Sequence, residues 1–247
     1  MWFRIITGLL FFLAGFSNVA KAQPPVSQLI DQIKNELNFT ELEAQAFLSH
    51  VTDKIRRLQI FLNILASSDN SIESKQTVED FLLKEVFTED ALVNVSSKNN
   101  PSSTVKLPVK AYLNRLINLG TNNNYSYSSI ELYFNPKYLK ISDFYKSTHS
   151  GQYQMQIQVQ QYFRGKKENT EVEYEDVTRK TIIGKIEESK DGTFQLKWQA
   201  IQVDHTGSVS ENEFQEALSE FERFKGRYFS DPNKKDSKWS KNDLFLN

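Results

Sequence analysis

Oxygen-bearing side chains crowd one stretch late in the chain, Asp204-His205-Thr206-Gly207-Ser208-Val209-Ser210-Glu211-Asn212-Glu213. Their spacing matches the second half of an EF-hand loop. With Gly207 at the sixth loop position, Asp204 is third, Thr206 fifth, the Ser208 carbonyl seventh, Ser210 ninth and Glu213 twelfth. Such an all-oxygen set, closed by a carboxylate, suits a hard cation such as calcium. Two features count against a metal. The first position holds Gln202 where an aspartate is needed, and the residues before it alternate as a strand where the motif needs an entering helix. Ser210 and Glu213 also form a capping box, opening a helical stripe of Phe214, Ala217, Leu218, Phe221 and Phe224. Capping is therefore the preferred role, and no metal or other cofactor is expected.

Acid–base chemistry would call on histidine or a carboxylate. The three histidines do not cluster in sequence: His50 sits on a long helix as a partly exposed surface residue, His149 in a turn, His205 in a loop after the last strand. No serine nucleophile elbow, glycine-rich phosphate loop or His-Glu-x-x-His zinc motif occurs. With no cysteine at all, thiol catalysis and thiolate zinc sites are excluded. What remains is a set of aromatic residues able to line a pocket: Tyr133, Phe134, Tyr138, Tyr145, Tyr162, Phe163, Tyr174 and Trp198. Most such residues serve as core.

The elements that would carry these residues are helices first, then strands. Leu29, Ile30, Ile33 and Leu37 have helical spacing. Thr40 and Glu43 make a capping box for a long helix with Phe47, Val51, Ile55, Leu58, Leu62 and Leu65 on one stripe. A second helix spans about 72–86. Residues 87–91 read as a turn, 91–95 as a short strand and 96–104 as a polar loop. Pro108 opens a third helix over 109–119, where proline is tolerated. Strands follow at 129–134, 138–145 and from 153, where Tyr153, Met155, Ile157 and Val159 alternate with glutamines. The alternation slips at Gln161-Tyr162-Phe163, as a bulge would make it do. Residues 172–186 form a long strand. Lys190-Asp191-Gly192 is a hairpin signal, and Phe194, Leu196, Trp198 and Ala200 alternate after it. A last amphipathic helix covers 211–224, and the chain turns polar after Gly226.

The start of the chain reads as an export signal. Arg4 precedes an apolar run from Ile5 to Phe16, and Ala20-Lys21-Ala22 provides small residues three and one before a cut ahead of Gln23. That run is shorter than the ~20 residues a permanent transmembrane helix needs, and no cysteine stands near the cut to carry a lipid. Cleavage takes away two of the 30 basic residues and none of the 31 acidic ones, leaving a net charge of −3. This balance argues against a nucleic-acid partner. About 225 residues remain, enough to bury a stabilising core without disulfides. Three sequons, at Asn38, Asn94 and Asn124, occur at a frequency chance allows. A disulfide-free exported chain fits a secreted or periplasmic setting.

Helices followed by a strand series make an α+β fold. Phe87-Thr88-Glu89-Asp90-Ala91-Leu92-Val93 resembles the turn from helix into first strand of the nuclear transport factor 2-like superfamily, the cone-shaped fold of ketosteroid isomerase and scytalone dehydratase. Pro108-Val109-Lys110-Ala111-Tyr112-Leu113 resembles that superfamily's third helix, and Trp198 stands in a similar closing strand. The resemblance spans residues 40–204. It implies N-terminal helices packed on a curved antiparallel sheet, forming a cone at 40–206; the helical extension at 23–39, the added helix at 207–225 and the tail at 226–247 depart from the superfamily's pattern. It also implies a polar residue near the cone at Asp90, and a concavity for which Tyr112, Tyr133, Tyr162 and Trp198 are the candidate ligand-binding residues. Such a scaffold hosts enzymes, binders and interaction modules alike. The expectation is an exported, non-enzymatic domain that holds a small apolar ligand or a protein partner, a homodimer included. The alternative is an acid–base enzyme, which would need an ionisable side chain buried among the aromatics with a shifted pKa.

Overall fold

The computed structural model describes residues 25–119, 127, 129–148, 150–166, 172–188 and 194–230. The segment read as an export signal, His149, the hairpin signal Lys190-Asp191-Gly192 and the residues from 231 on lie outside them. The fold is α+β. Helix α1 (Val26–Leu37) ends on Asn38 in the left-handed region at φ 55°, whose N–H donates to the Lys34 carbonyl. Thr40 then caps α2 (Glu41–Ala66) through the expected box: its N–H donates to Glu43 Oε2 at 2.7 Å, and the Glu43 N–H donates to Thr40 Oγ1 at 3.3 Å. The stripe from Phe47 to Leu65 is buried, each such side chain contributing about 1.5–3 kcal/mol. Leu29, Ile33 and Leu37 enter the same core, so α1 is built into the domain.

Helix α3 (Ile72–Phe81) widens into a π-turn at Leu82–Val86 and passes directly into β1 (Phe87–Ser97). The turn expected at 87–91 is strand: Phe87 and Thr88 are buried and Phe87 pairs with Trp198. The polar loop expected at 96–104 is also largely strand. It holds most of β2 (Asn100–Pro108), which pairs with β1 as the outermost strand. Almost all of β2 is exposed, so no alternation marks it. Then come α4 (Val109–Leu119), β3 (Ser129–Phe134), β4 (Lys140–Lys146), β5 (Tyr153–Lys166), β6 (Val172–Glu188), β7 (Phe194–Gly207) and α5 (Glu211–Ser230).

The seven strands form one curved, open sheet in the order β2-β1-β7-β6-β5-β3. Strand β4 lies beside the first half of β5, and β3 beside the second half. All pairs are antiparallel except β1 with β7, a departure from the antiparallel sheet expected. The outer edge of β3 is met by polar side chains of α2: the Leu132 N–H donates to Asn63 Oδ1 and the Phe134 N–H to Gln59 Oε1, each at 3.0 Å. Helix α2 thus satisfies an edge that would otherwise stay open.

No bulge occurs at Gln161–Phe163, because β5 and β6 stay in register from Tyr153 to Gly165. The alternation fails there for another reason, which is that both faces of the sheet are covered. Helix α5 packs Phe214, Ala217 and Phe221 against Tyr133 and Tyr162, on the face opposite Leu132 and Phe134, and meets Ile60 of α2 at the sheet edge. This helix runs through Gly226 to Ser230. His205, expected in a loop, is on β7 opposite Arg179.

Candidate functional site

A cavity of about 290 Å³ opens between α4 and the concave face of the sheet. Pro108, which has no N–H to leave unpaired, closes β2 just before α4 begins. Spacing of three and four residues then puts Tyr112, Arg115, Leu116 and Leu119 on the helix face that looks into the cavity. Val95, Leu132 and Phe163 complete an apolar wall, contributed by β1, β3 and β5.

The floor is polar and comes from β6. Side chains two apart share a strand face, so Tyr174, Asp176, Thr178 and Lys180 line the cavity together, on the face that continues through buried Ile182 and Ile186. Across the ladder Gln161 pairs with Thr178 and Phe163 with Asp176. The Lys98 N–H donates to Tyr174 Oη at 2.9 Å, and the Tyr174 hydroxyl donates to Asp176 Oδ2 at 2.5 Å. Thr178, next along the same face, also favours the charged form of the Asp176 carboxyl.

Burial governs the electrostatics. It raises the Asp176 carboxyl above the usual carboxylate range, opposed by the bond from Tyr174 and by Lys180 and Lys98. It lowers the Lys180 ammonium to about 8, opposed by Asp176. The Tyr174 phenol is pushed up to about 12, by burial first and then by Asp176. Each shift follows from taking charge out of water.

Of the four expected ligand-binding residues, only Tyr112 lines this cavity. Tyr133 and Tyr162 lie on the other face of the sheet, their rings 5.3 and 6.3 Å from that of Phe214 on α5. Trp198 is fully buried in the main core, with the Lys54 ammonium 5.8 Å from its ring. Burial lowers that ammonium to about 7. The calcium-type residues are engaged separately. Asp204 accepts a bond from Thr181 at 2.8 Å, and buried Thr206 shares a hydroxyl bond with Ser96. The Ser210 hydroxyl donates to Glu213 Oε2 at 2.7 Å, and the Glu213 N–H returns to Ser210 Oγ at 3.4 Å, the geometry of a capping box. Asp90 is exposed on β1. His50 is half-buried, its pKa brought down to about 4 by burial and by Lys54 and Arg57.

No protein-family model matches the chain. No curated protein matches it either. Among solved structures it is similar to the Kfla4162 protein from Kribbella flavida, at 10% identity and a TM-score of 0.37, over 69% of this chain and 97% of that one. It is also similar to ActVI-ORFA from Streptomyces coelicolor, at 12% identity and a TM-score of 0.29, over 66% of this chain and 95% of that one. Likeness this weak carries no argument about family or activity.

Sequence reasoning missed Asp176 and Lys180, yet a signal was present. Counting back in twos from Ile186 and Ile182 lands on Lys180, Thr178, Asp176 and Tyr174, which places charged side chains on the inward face of a strand. Charge there departs from the apolar inward face of an ordinary half-buried strand.

Proposed function

We propose that the protein binds a small molecule in the cavity between α4 and the β5–β6 floor. The observation that supports this is a cavity of about 290 Å³ with an apolar wall on one side and buried, charged groups on the other. Ligand sites combine apolar walls with a few placed polar groups in this way. The wall binds an apolar body, and the floor orients a polar group.

The test is a titration with a neutral apolar fluorophore such as N-phenyl-1-naphthylamine. Saturable binding at one site is expected, and Leu119→Trp should abolish it without lowering the melting temperature, because half-buried Leu119 sits on the cavity wall. Undiminished binding by that variant would refute the reading.

One observation favours acid–base catalysis as a second reading: the 2.5 Å bond from Tyr174 to a buried Asp176 with a raised pKa. A carboxyl tuned toward neutrality suits proton transfer. Its test is exchange of carbon-bound hydrogen of an added enolisable ketone into deuterium oxide, followed by NMR. Activity lost in Asp176→Asn would support it, and equal exchange with and without protein would refute it.

The cone of the nuclear transport factor 2-like superfamily is the fold family we propose. Helices before the sheet, α4 between a hairpin and a strand series, and Trp198 on the last strand support it. Export remains a proposal resting on residues 1–22: material from the native host should begin at Gln23, and membrane-embedded protein retaining Met1 would overturn it.

A further inference from the structure

Charge around the cavity is lopsided. Lys180 lies in the floor, Arg115 is exposed at the rim, and Lys98 stands with Nζ 5.2 Å from the Tyr174 ring. Among the described residues of the lining, Asp176 is the acidic one that opposes them, and its carboxylate already accepts a bond from Tyr174. Lys180 is only 7% exposed, and among the described residues its ammonium meets no hydrogen-bond acceptor. An ammonium with so little access to water is costly, and a ligand oxygen entering the cavity would relieve the cost. The wall facing Lys180 (Leu116, Leu119, Leu132, Phe163) is apolar, so the anionic group must come at the end of an apolar body. One buried cation with a carboxylate nearby suits a singly charged head better than a dianion, whose second charge Asp176 would repel.

We propose that the cavity holds an apolar monocarboxylate, its carboxylate paired with Lys180 in the floor and its approach favoured by Arg115 at the rim. The inference rests on the small-molecule reading above and adds the class of ligand to it. The charge-assisted bond gives the specificity and the wall gives the apolar contribution.

The experiment compares octanoate with octanol, which share a chain and differ in the head group, by calorimetric titration of the folded chain. Octanoate is expected to bind about tenfold or more tightly than octanol, the factor that corresponds to the lower end of a hydrogen bond to a charged group. In Lys180→Met the preference should vanish while octanol still binds. Arg115→Gln, at an exposed position, should weaken octanoate and leave octanol unchanged. Equal binding of acid and alcohol by the unaltered protein would overturn the carboxylate proposal and leave the cavity reading standing. Binding of neither would overturn both. The acid–alcohol comparison needs no variant, so it decides the matter even if Lys180→Met fails to fold.

Discussion

Gly184 gives the sharpest test of how tightly the sheet is packed beneath the cavity. It lies in β6 on the same face as Lys180 and Ile182, paired with Trp198 of β7. A methyl group there would stand 2.6 Å from Leu196 Cδ1 and 2.9 Å from Trp198 Cζ3, against a comfortable separation of about 3.5–4 Å. The Leu196 terminus could rotate, but Trp198 is fully buried and Leu196 is 3% exposed, so neither has space to retreat into. Overpacking of this kind costs about 1–3 kcal/mol. Replacing glycine returns about 0.5–1 kcal/mol of backbone entropy, so Gly184→Ala should lose roughly 1–2 kcal/mol. Urea unfolding followed by far-ultraviolet circular dichroism would show a lower midpoint at an unchanged slope. Gly226→Ala is the control: nothing lies within 4 Å of its added methyl, and it should gain up to about 1 kcal/mol as a helix residue. An unchanged or raised midpoint for Gly184→Ala would refute the claim that Leu196 and Trp198 cannot yield.

Phe214→Ala should cost about 3–5 kcal/mol in the same assay, because its ring is fully buried and carries the Arg164 guanidinium 3.5 Å from its centroid; a loss below 1 kcal/mol on this order-of-magnitude scale would mean that α5 is not packed as described. Ser210→Ala should lower stability by about 0.5–2 kcal/mol through its lost cap, equally in chelator and in calcium, and a calcium-dependent rise in melting temperature that Glu213→Gln abolishes would contradict the capping role. Stability should also follow pH in a definite direction. Lys54 and Lys180 have folded pKa values of about 7 and about 8 against 10.5 in the unfolded chain, so between those limits the unfolded state binds more protons and stability rises with pH. Tyr174, raised to about 12 from 10, acts oppositely and makes stability fall above about pH 10. Urea midpoints that fall steadily from pH 7 to pH 10 would contradict the sign, and Lys54→Met should flatten the rise.

The parts of the fold that sequence foretells are those where one face meets water. The α2 stripe and its Thr40–Glu43 box, the Met155–Val159 alternation and the Ser210–Glu213 cap all have such a contrast between faces, and each stands in the structure where the pattern placed it. Strand β2 has no contrast because almost all of it faces solvent. The second half of β5 has none because α4 and the cavity lie over one face and α5 over the other. Tyr133 and Tyr162 look like pocket residues by composition, but only the position of α5 tells that they serve a second core. The polar floor stayed hidden because Glu175 and Arg179 interleave with Asp176 and Lys180, so charge falls on both faces and no hydrophobic period picks out the inner one.

Helix α5 has a consequence for how the molecule breathes. Its anchors form a core separate from the main one, held by Phe214, Ala217 and Phe221 on one side and by Tyr133, Tyr162 and Ile60 on the other. The ion pair from Arg164 of β5 to Glu211, at 2.5 Å, fastens its first turn, while Glu175 of β6 meets the same guanidinium at 3.2 Å. Releasing α5 would cost only that smaller core and would leave the cavity, α4 and the hydrogen-bonded ladder in place. Units attached in this way open independently of the whole. Amide hydrogens of α5 should therefore exchange with solvent as a group, at a lower opening free energy than those of β5 and β6. During that opening Tyr133 and Tyr162 would be bared as a transient apolar patch on the sheet's outer face.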